Sequence, residues 1–119
     1  MYSVLVIDDE QMIRDMLTQA LSRVDFAVET AENALGGIAK FESGAYDLVI
    51  TDVRMPGRDG HSVVNHIRLS ERRKTPVIGV SGTPWLLQNG DFDEVLYKPF
   101  AIHMLIEKAR SLAQTHPAS

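Results

Sequence analysis

The stretch Leu48-Val49-Ile50-Thr51-Asp52 decides the fold. Its apolar residues show no polar alternation, the mark of a strand buried on both faces inside a parallel sheet. It ends abruptly in a carboxylate. The run Val4-Leu5-Val6-Ile7 ends in the same way, in Asp8 and Asp9, and a third apolar stretch, Val95-Leu96-Tyr97, runs into Lys98. Apolar strands that each end in a charged residue predict an ionic site along one edge of a buried sheet.

Outward from these runs, the chain alternates. Residues 3–7 read as the first strand. From Glu10 the period changes, and Met12, Ile13, Met16, Leu17, Ala20, Leu21 and Val24 recur at helical spacing, predicting an amphipathic helix over 10–23. Residues 26–30 alternate loosely, as a strand nearer an edge does. Asn33 suits the cap of a second helix, with Ala34, Leu35, Ile38, Ala39 and Phe41 as its buried stripe and Gly44 as its stop. Gly36-Gly37 weakens that helix by roughly 1 kcal/mol per glycine. The third strand covers 47–51 and is followed by the turn-rich loop 55–60 and a helix over 61–71. The fourth strand covers 76–80 and ends at Ser81-Gly82. The segment 83–90 holds at most a turn or two of helix, with Asn89-Gly90 as its stop. The fifth strand is 94–97, the last helix 100–114, and 116–119 a loose tail. Strands alternating with helices predict a doubly wound α/β fold, a parallel sheet covered on both sides through right-handed crossovers. The core spans about 3–114 of a single domain over 1–119.

Composition narrows the function. A chain of 119 residues with 45% hydrophobic and 24% charged residues is one ordinary globular domain. It has no cysteine, which removes disulfides and thiolate chemistry and fits a reducing compartment. The net charge of −4 argues against binding nucleic acid through its phosphates. No run is long enough to span a membrane, and the N-terminus lacks a basic, cleavable leader, so the expected setting is the cytoplasm.

Ligands of such sheets bind beyond the carboxyl ends of the strands. Asp8-Asp9, Asp52, Ser81 and Lys98 all fall on that edge. Two like charges about 4 Å apart cost about 4 kcal/mol at an effective dielectric of 20. Lys98 offsets one charge, and a hard divalent cation held by oxygens, Mg²⁺, suits the remainder. A carboxylate there can attack phosphorus to give an acyl phosphate. Ser81 and the Gly82 amide can bind the phosphoryl oxygens. No Gly-rich nucleotide loop is present, so the donor is a phosphorylated protein or a small phosphodonor rather than ATP.

The set Asp8-Asp9-Glu10, Asp52 with Met55-Pro56 and Asp59-Gly60, Ser81-Gly82 and Lys98-Pro99-Phe100 resembles the receiver domain of two-component response regulators, of the single-domain chemotaxis type. The likeness covers nearly the whole chain and implies a five-stranded flavodoxin-like sheet in the order 2-1-3-4-5. It implies Asp52 as the phosphoacceptor, fed by the phosphohistidine of a sensor histidine kinase or a histidine phosphotransfer protein. It implies Mg²⁺ bound by Asp9, Asp52 and the backbone carbonyl of Arg54, with Asp8 acting through the metal's water. Lys98 would pair with the phosphoryl group, Ser81 would be the switch hydroxyl, and Gly82 would leave the pocket open. Arg54 and Thr83 would flank the site and tune dephosphorylation. The signal would pass to an unknown downstream protein or output domain, without direct contact to nucleic acid or membrane. Such a domain promotes only its own phosphorylation and dephosphorylation.

Two departures from the family pattern stand out. Where an aromatic is common, three positions before the lysine, this chain has Val95, and Tyr97 or Trp85 is the candidate substitute. Lys98 follows Ser81 by only 17 positions, so the fourth helix is shortened or missing. The scattered histidines, His61, His66, His103 and His116, read as surface residues. Arg68, Arg72, Arg73 and Lys74 read as a solvated basic helix end. Competing readings are a haloacid-dehalogenase-like phosphatase, a flavodoxin-like electron carrier, and a receiver that forms part of a larger regulator or hybrid kinase. The first lacks a second aspartate two positions after either candidate nucleophile. The second would set Asp8 and Asp9 against a flavin phosphate.

Overall fold

In the computed structural model, the described residues are 1–53, 60–82 and 91–115. They form β1 (Tyr2–Ile7), α1 (Gln11–Ser22), β2 (Phe26–Ala31), α2 (Ala34–Ser43), β3 (Leu48–Asp52), α3 (Gly60–Arg68), β4 (Val77–Ser81), β5 (Glu94–Tyr97) and α4 (Ile102–Thr115). The five strands make one parallel sheet in the order β2-β1-β3-β4-β5. The expected fold and strand order are therefore found. The shortened helix expected over 83–90, and Trp85 within it, lie outside the described residues.

Strand parity divides the core into two layers. Val4, Val6, Leu48, Ile50, Ile78, Val80 and Leu96 face α1 and α4, meeting Leu17, Leu21, Leu105 and Ala109. Leu5, Ile7, Val49 and Val77 face α2 and α3, meeting Phe41, Val63, Val64 and Ile67. Successive side chains of a strand point to opposite faces, so a central strand that is apolar throughout must serve both layers.

The helices differ from the expected stripes in detail. Met12 and Met16 of α1 are exposed, as is Leu35 of α2, at 63%. Gly37 is buried instead, directly against Ile7: an added Cβ would lie 2.3 Å from Ile7 Cδ1. The glycine that costs helix propensity thus lets α2 approach β1 closely. Asn33 caps α2 as expected, its side chain accepting from the Gly36 amide at 2.7 Å. α4 begins at Ile102, two residues later than expected, and Ile102 is itself exposed.

Of the basic helix end, Arg73 and Lys74 are exposed as expected, but Arg68 and Arg72 are not simply solvated. Arg68 donates to the carbonyls of Asp91, Arg73 and Thr75 and pairs with Asp93 at 2.6 Å, tying the end of α3 to the entries of β4 and β5. Arg72 donates to the carbonyls of Phe41 and Gly44 at the C-terminus of α2, where helix carbonyls lack partners, and lies 4.7 Å over the Phe41 ring. His66 pairs with Glu42 and sets its ring edge-on to Phe41.

Candidate functional site

The site is built at the carboxyl ends of β1, β3, β4 and β5. β1 delivers Asp8, whose amide donates to the Ala31 carbonyl of β2 at 3.1 Å. The carboxylate accepts from the Glu10 amide at 2.9 Å, which turns the chain into α1. Arg14, one turn into that helix, donates to the Asp8 carbonyl at 2.7 Å and fixes the strand end from outside. β3 delivers Asp52, and both Asp8 and Asp52 are buried, while Asp9 and Glu10 face solvent. β4 ends in fully buried Ser81, and among the described residues nothing lies within 4 Å of where a Cβ of Gly82 would stand.

Lys98 closes the arrangement from β5. Its amide donates to the Ser81 carbonyl at 2.8 Å. A cis peptide bond joins it to Pro99. Its ammonium lies 3.4 Å from Asp52, 3.6 Å from Asp8 and 3.4 Å from Glu10. The structure thus brings together Asp8, Asp9, Asp52, Ser81, Gly82 and Lys98, the first and last of them 90 positions apart along the chain. Arg54, Thr83 and Trp85 lie outside the described residues. Val95 packs on the α2–α3 layer and Tyr97 follows on the same side of β5, half exposed.

Electrostatics make the site acidic and strained in charge. Asp8, Asp9, Glu10 and Asp52 each bring one carboxylate oxygen to within 4.8 Å of the others. Among the described residues, the one ammonium that stands against these four carboxylates is that of Lys98. Burial pushes the Asp8 carboxyl up to about 6; the Glu10 amide opposes that rise, the Asp52 charge adds to it, and Lys98 offsets part of it. Lys98 is partly buried, which disfavours its charge, but Asp8, Asp52 and Glu10 together raise its pKa above the usual lysine value. An all-oxygen donor set with surplus negative charge fits a hard divalent cation. Glu10 stands in the Asp8-Asp9-Glu10 motif but carries no role of its own in the sequence, and Arg14 is not legible as a site residue. Their signals are slight, an acid directly after Asp8-Asp9 and a base four residues on.

The description "Response regulator receiver domain" fits the chain over residues 4–110. The chain belongs to the response regulator receiver family.

As a receiver domain of two-component signalling, it is similar to the transcriptional regulatory protein ResD of Bacillus subtilis, 34% identical over 92% of this chain and 47% of ResD. It is 30% identical to the transcriptional regulatory protein CusR of Escherichia coli, over 92% of this chain and 50% of CusR. The receiver domain spans about half the length of these curated relatives. Among solved structures, the response regulator TrrA of Thermotoga maritima in complex with Mg²⁺-BeF superposes with a TM-score of 0.86 at 35% identity, covering 94% of this chain and 99% of TrrA. The chemotaxis response regulator CheY4 of Vibrio cholerae gives 0.87 at 30% identity, covering 94% and 98%. Receiver domains are signalling switches rather than enzymes that turn over a separate substrate. Among the described residues, no helix is long and apolar enough to cross a membrane.

Proposed function

We propose that Asp52 is the phosphoryl acceptor of this receiver domain and that the whole chain acts as one switching unit. The observation that carries the reading is the Lys98 ammonium suspended 3.4 Å from buried Asp52 and 3.6 Å from buried Asp8 at the sheet's carboxyl edge. An Asp52 carboxylate oxygen attacks the phosphorus of a donor phosphohistidine. The P–O bond forms, the P–N bond breaks, and the leaving imidazole keeps its electron pair and takes up a proton. Lys98 moves onto a phosphoryl oxygen, and the Ser81 hydroxyl and Gly82 amide donate to others.

Mg²⁺ is the cofactor that the donor set favours, and TrrA, 35% identical, is known in complex with Mg²⁺-BeF. Asp9, Asp52 and the Arg54 carbonyl would hold it, with Asp8 acting through its water. When bound, Mg²⁺ neutralises charge that builds on the phosphoryl oxygens. Water later cleaves the acyl phosphate, so the domain resets itself. The donor is a sensor histidine kinase or histidine phosphotransfer protein, and the output is a protein partner or a linked domain in the cytoplasm.

The test is intact-mass spectrometry after incubation with acetyl phosphate and Mg²⁺. Wild type gains one phosphoryl group, and the gain disappears in Asp52→Asn and on chelation of the metal. Equal phosphorylation of Asp52→Asn refutes the assignment.

A further inference from the structure

The Lys98 ammonium has a third neighbour that the proposed chemistry does not use. Glu10 Oε1 lies 3.4 Å away, as near as Asp52, although the two residues are 88 positions apart. All three contacts, at 3.4, 3.4 and 3.6 Å, exceed the roughly 2.7–2.9 Å of a seated charge-assisted hydrogen bond. The ammonium is therefore shared among three carboxylates and seated on none. The three differ in their surroundings. The side chains of Asp8 and Asp52 are 4% and 8% exposed, and that of Glu10 is 60% exposed. Two acceptors draw Lys98 inward, and Glu10 draws it toward the mouth.

The local fold leaves Glu10 available for this. It occupies the N-cap position of α1 with an extended backbone, φ −95° and ψ 116°, and its side chain makes no capping hydrogen bond. Its amide is instead held by Asp8 Oδ1 at 2.9 Å, which anchors the residue beside the cluster. A carboxylate at a helix start also favours the helix dipole, a purely structural role. That role is indifferent to Lys98.

We propose that Glu10 is a positioning residue for Lys98: it holds the ammonium between the mouth and Asp52 in the unphosphorylated domain and sets how readily that charge reaches a group arriving on Asp52. This inference rests on the reading of Asp52 as phosphoryl acceptor. Removing the outward pull lets Lys98 settle toward Asp52 before a phosphodonor arrives. The gain is on the scale of one half-exposed ion pair, roughly two- to fivefold in rate.

The experiment compares Glu10→Gln with wild type by two readouts. In unphosphorylated, metal-free protein, the Lys98 ¹⁵Nζ resonance shifts in Glu10→Gln. With acetyl phosphate and Mg²⁺, the phosphorylation rate rises roughly two- to fivefold, and the same substitution changes nothing in a Lys98→Met background. An unmoved Lys98 resonance overturns the proposal. So does an equal rate gain with and without Lys98, which would mean that Glu10 acts by general repulsion or through the helix dipole. The resonance needs no phosphorylation, so it still decides the Glu10–Lys98 contact if Asp52 proves not to be the acceptor.

Discussion

Ser81 and Tyr97 are register partners on adjacent parallel strands, and the Lys98 amide donates to the Ser81 carbonyl at 2.8 Å. Partners in register project to the same face of a sheet. Tyr97 therefore shares its face of the sheet with the neighbouring Ser81, whereas Val95 is the register partner of Gly79. Tyr97 is 50% exposed and has room to change rotamer.

From that relation we expect Tyr97 to report the state of Ser81. With fluorotyrosine incorporated, and the resonance assigned through Tyr97→Phe, the Tyr97 signal should move when Mg²⁺ and beryllium fluoride are added. The movement should vanish in Ser81→Ala. A signal that ignores the phosphoryl mimic in wild type removes Tyr97 from the signal path.

Gly37 gives a prediction opposite to helix propensity. Gly37→Ala gains about 1 kcal/mol of propensity but sets a Cβ 2.3 Å from Ile7 Cδ1 and 2.7 Å from Ile7 Cγ1. Ile7 is buried, so the overlap costs about 1–3 kcal/mol. Thermal melts should show Gly37→Ala less stable than wild type. Adding Ile7→Val, which removes Cδ1, should recover part of the loss.

The difference between what was legible in the sequence and what was not has a physical basis. β1 and β3 were legible because an apolar run ending in aspartate is a local signal, and one such run fixes which edge bears the site. The role of Gly37 was not legible, because a strand 30 residues earlier decides it. The roles of Arg68 and Arg72 leave no trace in the side-chain pattern, because their partners are mostly backbone carbonyls. Glu10 is visible as part of the Asp8-Asp9-Glu10 motif, but its contact with Lys98 exists only once β1 and β5 share a sheet edge. Leu35 departs from its expected stripe because a periodic pattern does not say where a helix turns its face to water.

Asp8 makes the metal-free domain sensitive to pH. Burial, with the Asp52 charge, raises its folded value from 3.8 to about 6. A raised carboxyl means that the folded chain holds a proton the unfolded chain has released. The contribution to stability is then most favourable below about pH 4 and is lost as pH rises through about 6. In metal-free buffer, Asp8→Asn should melt higher than wild type at pH 7.5, with the advantage shrinking by pH 5. Adding Mg²⁺ at pH 7.5 should raise the wild-type melting temperature more than that of the variant. A variant with the wild-type pH profile contradicts this account.

Arg68 should resist conservative replacement. Its planar fork serves three carbonyls and Asp93, and Asp93 Oδ2 also accepts from the Val77 amide at 2.8 Å. A lysine has a single point of donation and cannot span them. Arg68→Lys should cost about 2 kcal/mol or more in urea unfolding, at an unchanged slope. A loss within about 0.5 kcal/mol, the scale of an ordinary surface change, would return Arg68 to the solvated helix end.

On the proposed chemistry, Asp52, and no other carboxylate of the cluster, carries the phosphoryl group. Borohydride reduces an acyl phosphate to an alcohol and so marks the acceptor permanently. After phosphorylation with acetyl phosphate and Mg²⁺, reduction and peptide mass spectrometry, the account predicts homoserine at position 52 and unmodified aspartate at positions 8 and 9. A mark at Asp8 or Asp9, or phosphate retained elsewhere with Asp52 untouched, would contradict it.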